Sequence, residues 1–183
     1  MYRIAYLLLL PMVAATTHLA PRVTSVDQAV PMRTGAGTRA LSIKPVRWSV
    51  VGGGARIETV AGRGFGITLQ ADIAKGWHIY SMTQKPGGPI PLSINLIDAG
   101  DVTMRGVVRA PKPERYFDKN FGMETELYSG SPRFTIPIAV PGRSTTGTRK
   151  IQLGARYQVC SATLCLPART DKLDVKLHVV GRK

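Results

Sequence analysis

From about residue 44 onward, apolar residues recur at every second position, and that period decides what the chain can become. Phe65, Ile67, Leu69, Ala71 and Ile73 alternate with Gly66, Thr68, Gln70 and Asp72. Phe134, Ile136, Ile138 and Val140 alternate with Thr135, Pro137 and Ala139. Ile151, Leu153, Ala155, Tyr157 and Val159 alternate with Gln152, Gly154, Arg156 and Gln158, and Leu173, Val175, Leu177 and Val179 with Asp174, Lys176 and His178. In an extended backbone successive side chains point to opposite faces, so each run sets one face on a core and the other in water. Residues 48–51, 56–60, 77–80, 92–97 and 102–108 are shorter candidates. Turn signals separate these runs: Gly52 to Gly54, Ala74 with Lys75 and Gly76, Pro86 to Pro89, Ala99 with Gly100 and Asp101, and Pro141 with Gly142. No segment has a helical stripe, and no internal repeat is visible. About eight or nine short strands punctuated this way predict an all-β, antiparallel β-sandwich. Pro137 inside such a pattern predicts an edge strand or a bulge.

The first 43 residues read differently. Arg3 precedes an apolar run from Ile4 to Ala15 broken by Pro11. At about 12 residues it falls short of the roughly 20 needed to span a bilayer and has the form of an export signal. Small residues at Val13 and Ala15 predict cleavage after Ala15, and no cysteine follows to carry a lipid anchor. Residues 16–43 are rich in Thr, Pro, Gly and Arg without an apolar period, which predicts a flexible lead before a folded domain over 44–183. No later segment approaches transmembrane length, so no stable membrane insertion is expected after cleavage. The expected product is a monomeric domain outside the cytoplasm, where a disulfide persists.

Charge is less informative than it looks. The 25 Lys and Arg against 11 Asp and Glu give a net charge of +14. A nucleic-acid binder clusters its basic residues, often with stacking aromatics. Here they are scattered, and the longest basic runs are the pairs Arg149 with Lys150 and Arg182 with Lys183. The charge reads as a solubilising surface with some attraction to acidic partners or anionic membrane, and no nucleic-acid partner is expected.

The two cysteines carry more. Cys160 and Cys165 lie in the run from Tyr157 to Pro167, four residues apart, within reach of a loop-closing disulfide if the chain turns between them. A loop this short gains only about 2 kcal/mol from closure, against about 4–5 kcal/mol for one of a hundred residues. A sandwich with its own core does not need that staple. The inward residues of the strand ending at Val159 are odd-numbered, so Cys160 has outward parity, and an accessible thiol is expected there. A non-catalytic immunoglobulin-like binding module whose disulfide only pins the loop stays open as the alternative. Zinc is not expected, because two cysteines lack companion ligands and His18, His78 and His178 are far apart in sequence. Capture of a soft ion such as Cu(I) by the reduced pair with Met123 or His78 is a third reading.

Several segments together resemble one known family. They are the run Gly76, Trp77, His78, Ile79, Tyr80, Ser81; the turn at Gly87, Gly88 and Pro89; Phe117 to Gly122 with Tyr128 following; and the cysteine segment from Tyr157 to Pro167. Over roughly residues 44–180 the chain resembles the periplasmic N-terminal domain of the DsbD thiol:disulfide interchange proteins. The resemblance implies a periplasmic, immunoglobulin-like sandwich whose cysteine pair cycles between dithiol and disulfide and needs no cofactor. It implies as partners a membrane thiol–disulfide electron carrier and exported substrate proteins. It also implies that Cys160 attacks the partner and Cys165 resolves the mixed disulfide. A cap loop shields the pair in this family, with Phe121 best matching its aromatic residue and Phe117 a neighbouring candidate. His78 and Tyr80 occupy positions of aromatics that surround the family's cysteines. Tyr157 has inward parity and is expected in the core. The sequence contains neither the family's membrane region nor its thioredoxin-like unit, so electrons are expected from a separate chain.

Overall fold

The computed structural model describes residues 44–52 and 56–182. The expected export signal (1–15), the lead (16–43) and Gly53 and Gly54 of the first predicted turn lie outside the described residues. Twelve strands follow one another among the described residues: β1 (Val46–Val50), β2 (Ile57–Val60), β3 (Gly64–Ile73), β4 (Trp77–Tyr80), β5 (Ser93–Asp98), β6 (Thr103–Met104), β7 (Glu114–Asp118), β8 (Met123–Tyr128), β9 (Arg133–Ala139), β10 (Gly147–Tyr157), β11 (Val159–Ser161) and β12 (Arg169–Val180). No helix occurs among them, and none is therefore long and apolar enough to cross a membrane.

Three four-stranded sheets result, ordered β1-β3-β9-β6, β2-β12-β10-β5 and β11-β4-β8-β7. The first two supply most of the core through the alternating rows read from the sequence. Ile67 faces Ile136 and Leu69 faces Phe134 across β3 and β9, while Ile151 faces Val175 and Leu153 faces Leu173 across β10 and β12. All eight are buried. Trp48 joins the two layers, its ring 5.6 Å from Phe134 of the first sheet and 5.8 Å from Tyr157 of the second. Tyr157 is buried in that core, as its parity predicts. The fold is the expected all-β sandwich, antiparallel throughout except for β2, which runs parallel to β12.

Two local expectations change. The run 102–108 is a strand only at Thr103–Met104, because Gly106 takes a positive φ of 97° and turns the chain away, leaving Val107 exposed. The hairpin of β7 and β8 has no apolar alternation to announce it, since four of the five β7 residues are exposed. Pro137 lies in β9, whose outer side is covered by the two-residue β6 and one bridge from Arg109 to Thr135. That near-edge place tolerates a residue without an N–H.

The third sheet places the cysteines. At Gln158 the chain leaves the second sheet and continues as β11 in the third, beside β4. The Gln158 side chain accepts a hydrogen bond from the Ile90 backbone N–H at 3.0 Å, tying this crossing to the segment after the Pro86–Pro89 turn.

Candidate functional site

In the β11–β4 ladder Val159 pairs with Ile79, Cys160 with His78 and Ser161 with Trp77. Residues directly opposite one another share a face, and neighbours along a strand alternate. Val159, Ile79 and Tyr128 therefore continue the core, while Cys160, His78, Tyr80 and Leu127 lie on the other face of the sheet. Cys160 and Tyr80 are nonetheless fully buried and stand outside the main core cluster. The expected outward parity of Cys160 holds, but its expected accessibility does not. Tyr80, Leu127 and Cys160 are thus buried on what would otherwise be the wet face.

The cover is the turn between β7 and β8. The Phe121 ring meets the Tyr80 ring edge-on at 5.8 Å, and the Asn120 side-chain amide donates to the Ser161 carbonyl at 3.2 Å. These contacts tie the turn to β4 and to the residue that follows the fully buried Cys160. Beyond Ser161 the chain reverses tightly: the Ser161 N–H donates to the Leu164 carbonyl at 2.8 Å and the Leu166 N–H to the Val159 carbonyl at 3.0 Å. That reversal sets Cys165 opposite Cys160 with their Cα atoms 4.1 Å apart, and the two are disulfide-bonded. Cys165 is only partly buried, and its neighbour Leu164 is exposed.

Asp118 fastens the cover. Its carboxylate is buried, and its Oδ1 accepts the Asn120 backbone N–H at 2.8 Å, which folds the turn. The Asp118 carbonyl accepts the Gly122 N–H at 2.7 Å, and Gly122 adopts the positive φ (63°) that this reversal requires. Asp118 Oδ2 accepts the Tyr80 hydroxyl at 2.6 Å, and His78 Nε2 lies 3.2 Å from the Tyr80 oxygen and 3.6 Å from the same carboxylate oxygen. Burial, and then the bond to Asp118, push the Tyr80 phenol far above its ordinary pKa. Burial pulls the His78 imidazole below its usual value, and the nearby Asp118 opposes this with smaller effect.

The sequence-predicted residues thus divide. Cys160, Cys165, His78, Tyr80 and Phe121 come together. Phe117 has the opposite parity to Asp118, points to the other side of the hairpin, and is 58% exposed. Asp118 and Asn120 had been read only as part of a motif; the signal was the alternation of Asp, Asn and Gly at 118, 120 and 122, a turn whose carboxylate folds back on its own backbone. Tyr116, its ring 6.4 Å from that of His78, carried no signal in the sequence. Met123 packs against Gly88, where an added Cβ would meet its sulfur at 2.5 Å, and His178 sits in the second sheet with Thr148. Among the described residues no group of three or more His, Cys, Asp or Glu is placed to hold a metal ion.

Residues 53–177 match the family model for the N-terminal part of thiol:disulfide interchange protein DsbD. The DsbD N-terminal domain of Neisseria meningitidis, solved in the reduced form, is 19% identical, with 64% of this chain aligned to 82% of that one at a TM-score of 0.44. The N-terminal periplasmic domain of ScsB from Proteus mirabilis is 18% identical, with 71% of this chain aligned to 44% of that one at a TM-score of 0.50. A cohesin from Clostridium thermocellum, solved in a cohesin–dockerin complex, aligns with 75% of the chain at 8% identity and a TM-score of 0.41. No curated protein matches.

Proposed function

This chain belongs to the family of DsbD N-terminal domains, and on that premise we propose that it is an exported, periplasmic relay of reducing equivalents. It takes them from a membrane thiol–disulfide electron carrier and delivers them to exported substrate proteins. The observation that carries this reading is the asymmetry of the cysteine pair, Cys160 fully buried beside the β7–β8 turn and Cys165 partly exposed.

The asymmetry supports one order of attack. A partner thiolate needs a line of approach to the sulfur it attacks, and a buried sulfur offers none. Cys165 is therefore the partner-facing sulfur and Cys160 the resolving one, the reverse of the order implied by resemblance alone. In delivery, the Cys165 thiolate attacks a substrate disulfide and releases one substrate thiolate. Cys160 then attacks Cys165 in the mixed disulfide, the Cys160–Cys165 bond forms, and the second substrate thiolate leaves. The domain dithiol is oxidised and the substrate disulfide reduced by two electrons. Reloading by the carrier runs the same steps backwards. The Phe121 cover keeps small oxidants off Cys160 and swings away when a partner docks.

The test is capture. Replacing Cys160 with Ser leaves Cys165 unable to resolve, so a mixed disulfide on Cys165 accumulates with partners from an extract of the exported fraction. Cys165→Ser captures far less, because its remaining thiol is covered. Failure of Cys160→Ser to capture any partner, or a reduction potential well below about −300 mV, would mark an inert staple and overturn the reading.

A further inference from the structure

Resolution of a mixed disulfide needs Cys160 to give up its proton, yet the residue is fully buried and out of reach of a base in solvent. A base must stand inside the cover. The groups that face this space are few: Tyr80 and His78 from β4, Asp118 and Tyr116 from β7, and Cys160 itself from β11. The Tyr80 proton is committed to Asp118, and both Asp118 carboxylate oxygens are engaged in holding the turn. Tyr116 is nearly half exposed and brings a phenol hydroxyl, not a ring nitrogen with a free lone pair. His78 remains, directly opposite Cys160 in register and on the same face.

Resting on the exchange reading above, we infer that His78 is the acid–base group of the resolving cysteine, taking the Cys160 proton as that sulfur attacks and returning it when the disulfide reopens. The hydrogen bonds fix the tautomer that this needs. Tyr80 donates its hydroxyl hydrogen to Asp118, so its oxygen is an acceptor toward His78 Nε2. Nε2 therefore carries the imidazole hydrogen, and Nδ1 presents a lone pair. Nδ1 has no hydrogen-bond partner among the described residues, and the side chain keeps 12% of its exposure. A proton taken from Cys160 thus has an exit to water. The lowered affinity of the buried imidazole for a proton keeps His78 neutral and ready as a base near pH 7. In the step itself, the Cys160 S–H proton passes to Nδ1 and the Cys160 electron pair forms the bond to Cys165. The Cys165–substrate bond breaks, and its electrons leave on the substrate thiolate.

Dithiobis(nitrobenzoate) separates the two stages, because attack by Cys165 releases the first coloured thiolate and resolution by Cys160 the second. Stopped-flow traces of reduced wild type and His78→Phe from pH 5 to 9 give both rates. We expect His78→Phe to slow the second release about 100-fold at pH 7, at the lower end of general-base effects. It also abolishes the bend in the wild-type pH profile and changes the first release less than about threefold. An unchanged second release and pH profile would overturn the role of His78. Absence of the first release in wild type would instead overturn the exchange reading. Should His78→Phe fail to fold, imidazole titration of the wild-type protein by NMR decides. A His78 titration that differs between dithiol and disulfide forms supports the role, and identical titrations refute it.

Discussion

Two buried tyrosines in this molecule make nearly the same bond for different ends. Tyr157 donates to Asp171 at 2.7 Å, and Tyr80 donates to Asp118 at 2.6 Å. The first pair joins β10 to β12, strands of 11 and 12 residues, and packs its ring on Trp48. Its carboxylate is neutralised by Arg169, which approaches at 2.6 Å and 3.0 Å through two guanidinium nitrogens. The second pair joins a four-residue strand to the end of a short edge hairpin. Its carboxylate has no Lys or Arg partner among the described residues, only the burial-depressed imidazole of His78. One bond is a strut with its charge balanced. The other is a latch, held by hydrogen bonds that an approaching partner can replace.

If strut and latch are separate, damage to the sandwich core should leave the latch alone. Leu153→Ala removes a fully buried side chain facing Leu173 and is expected to cost about 2–5 kcal/mol in urea unfolding. The rate at which dithiothreitol reduces the native disulfide should stay within about twofold, because attack on the partly exposed Cys165 does not need global unfolding. A reduction rate that rises in step with the lost stability would show that the cysteines are reached only by unfolding, and the latch would be no latch.

Removing each hydroxyl sharpens the contrast. Tyr80→Phe strips a buried carboxylate of its hydroxyl donor, at a cost of about 1–3 kcal/mol. The same change loosens the cover over Cys160, the leaving sulfur when dithiothreitol attacks Cys165, and should speed reduction several-fold. Tyr157→Phe leaves Asp171 with its arginine, so about 1 kcal/mol is expected, with no change in reduction rate. Equal effects on reduction from both variants would erase the distinction. Phe121→Ala tests the cover without touching its hydrogen bonds. It should speed reduction as Tyr80→Phe does, whereas alanine at the outward-facing Phe117 should change stability and reduction very little.

The strut was legible in the sequence and the latch was not, for one physical reason. Alternation reports which side of a strand faces a core, and it placed Tyr157, Leu153 and Val159 inward as found. It carries no information about a second element folding over the outward side. Cys160 and Tyr80 have outward parity yet are fully buried, because a hairpin announced only by Asp118, Asn120 and Gly122 covers them. The strands of that hairpin, with exposed charged residues at Glu114 and Arg115 and alternating Glu124 and Glu126, have no apolar period to read. The resemblance supplied Phe121 as a cap aromatic, while the hydrogen bonds that hold it became readable only in three dimensions.

The smallest expected effect is a pH slope, and its sign separates the two sites. Both tyrosines have phenol pKa values raised in the folded state, by burial first and then by their carboxylate. Both therefore contribute stability that is lost as pH rises above about 10, where the unfolded phenols ionise and the folded ones do not. On the acid side they part. The folded His78 pKa lies below the unfolded value of about 6.5, so in the window beneath 6.5 the unfolded chain binds more protons than the folded one. Stability is lost as pH falls through that window, with a slope of at most about 1.4 kcal/mol per pH unit. Urea midpoints of the disulfide form at pH 5.5 and 7.5 should therefore rise with pH in wild type, and by less in His78→Phe. A midpoint that instead rises toward pH 5.5 would mean that Asp118 outweighs burial and holds His78 as a cation. The latch would then be charge-balanced like the strut, and uncovering the resolving Cys160 would have to break an ion pair.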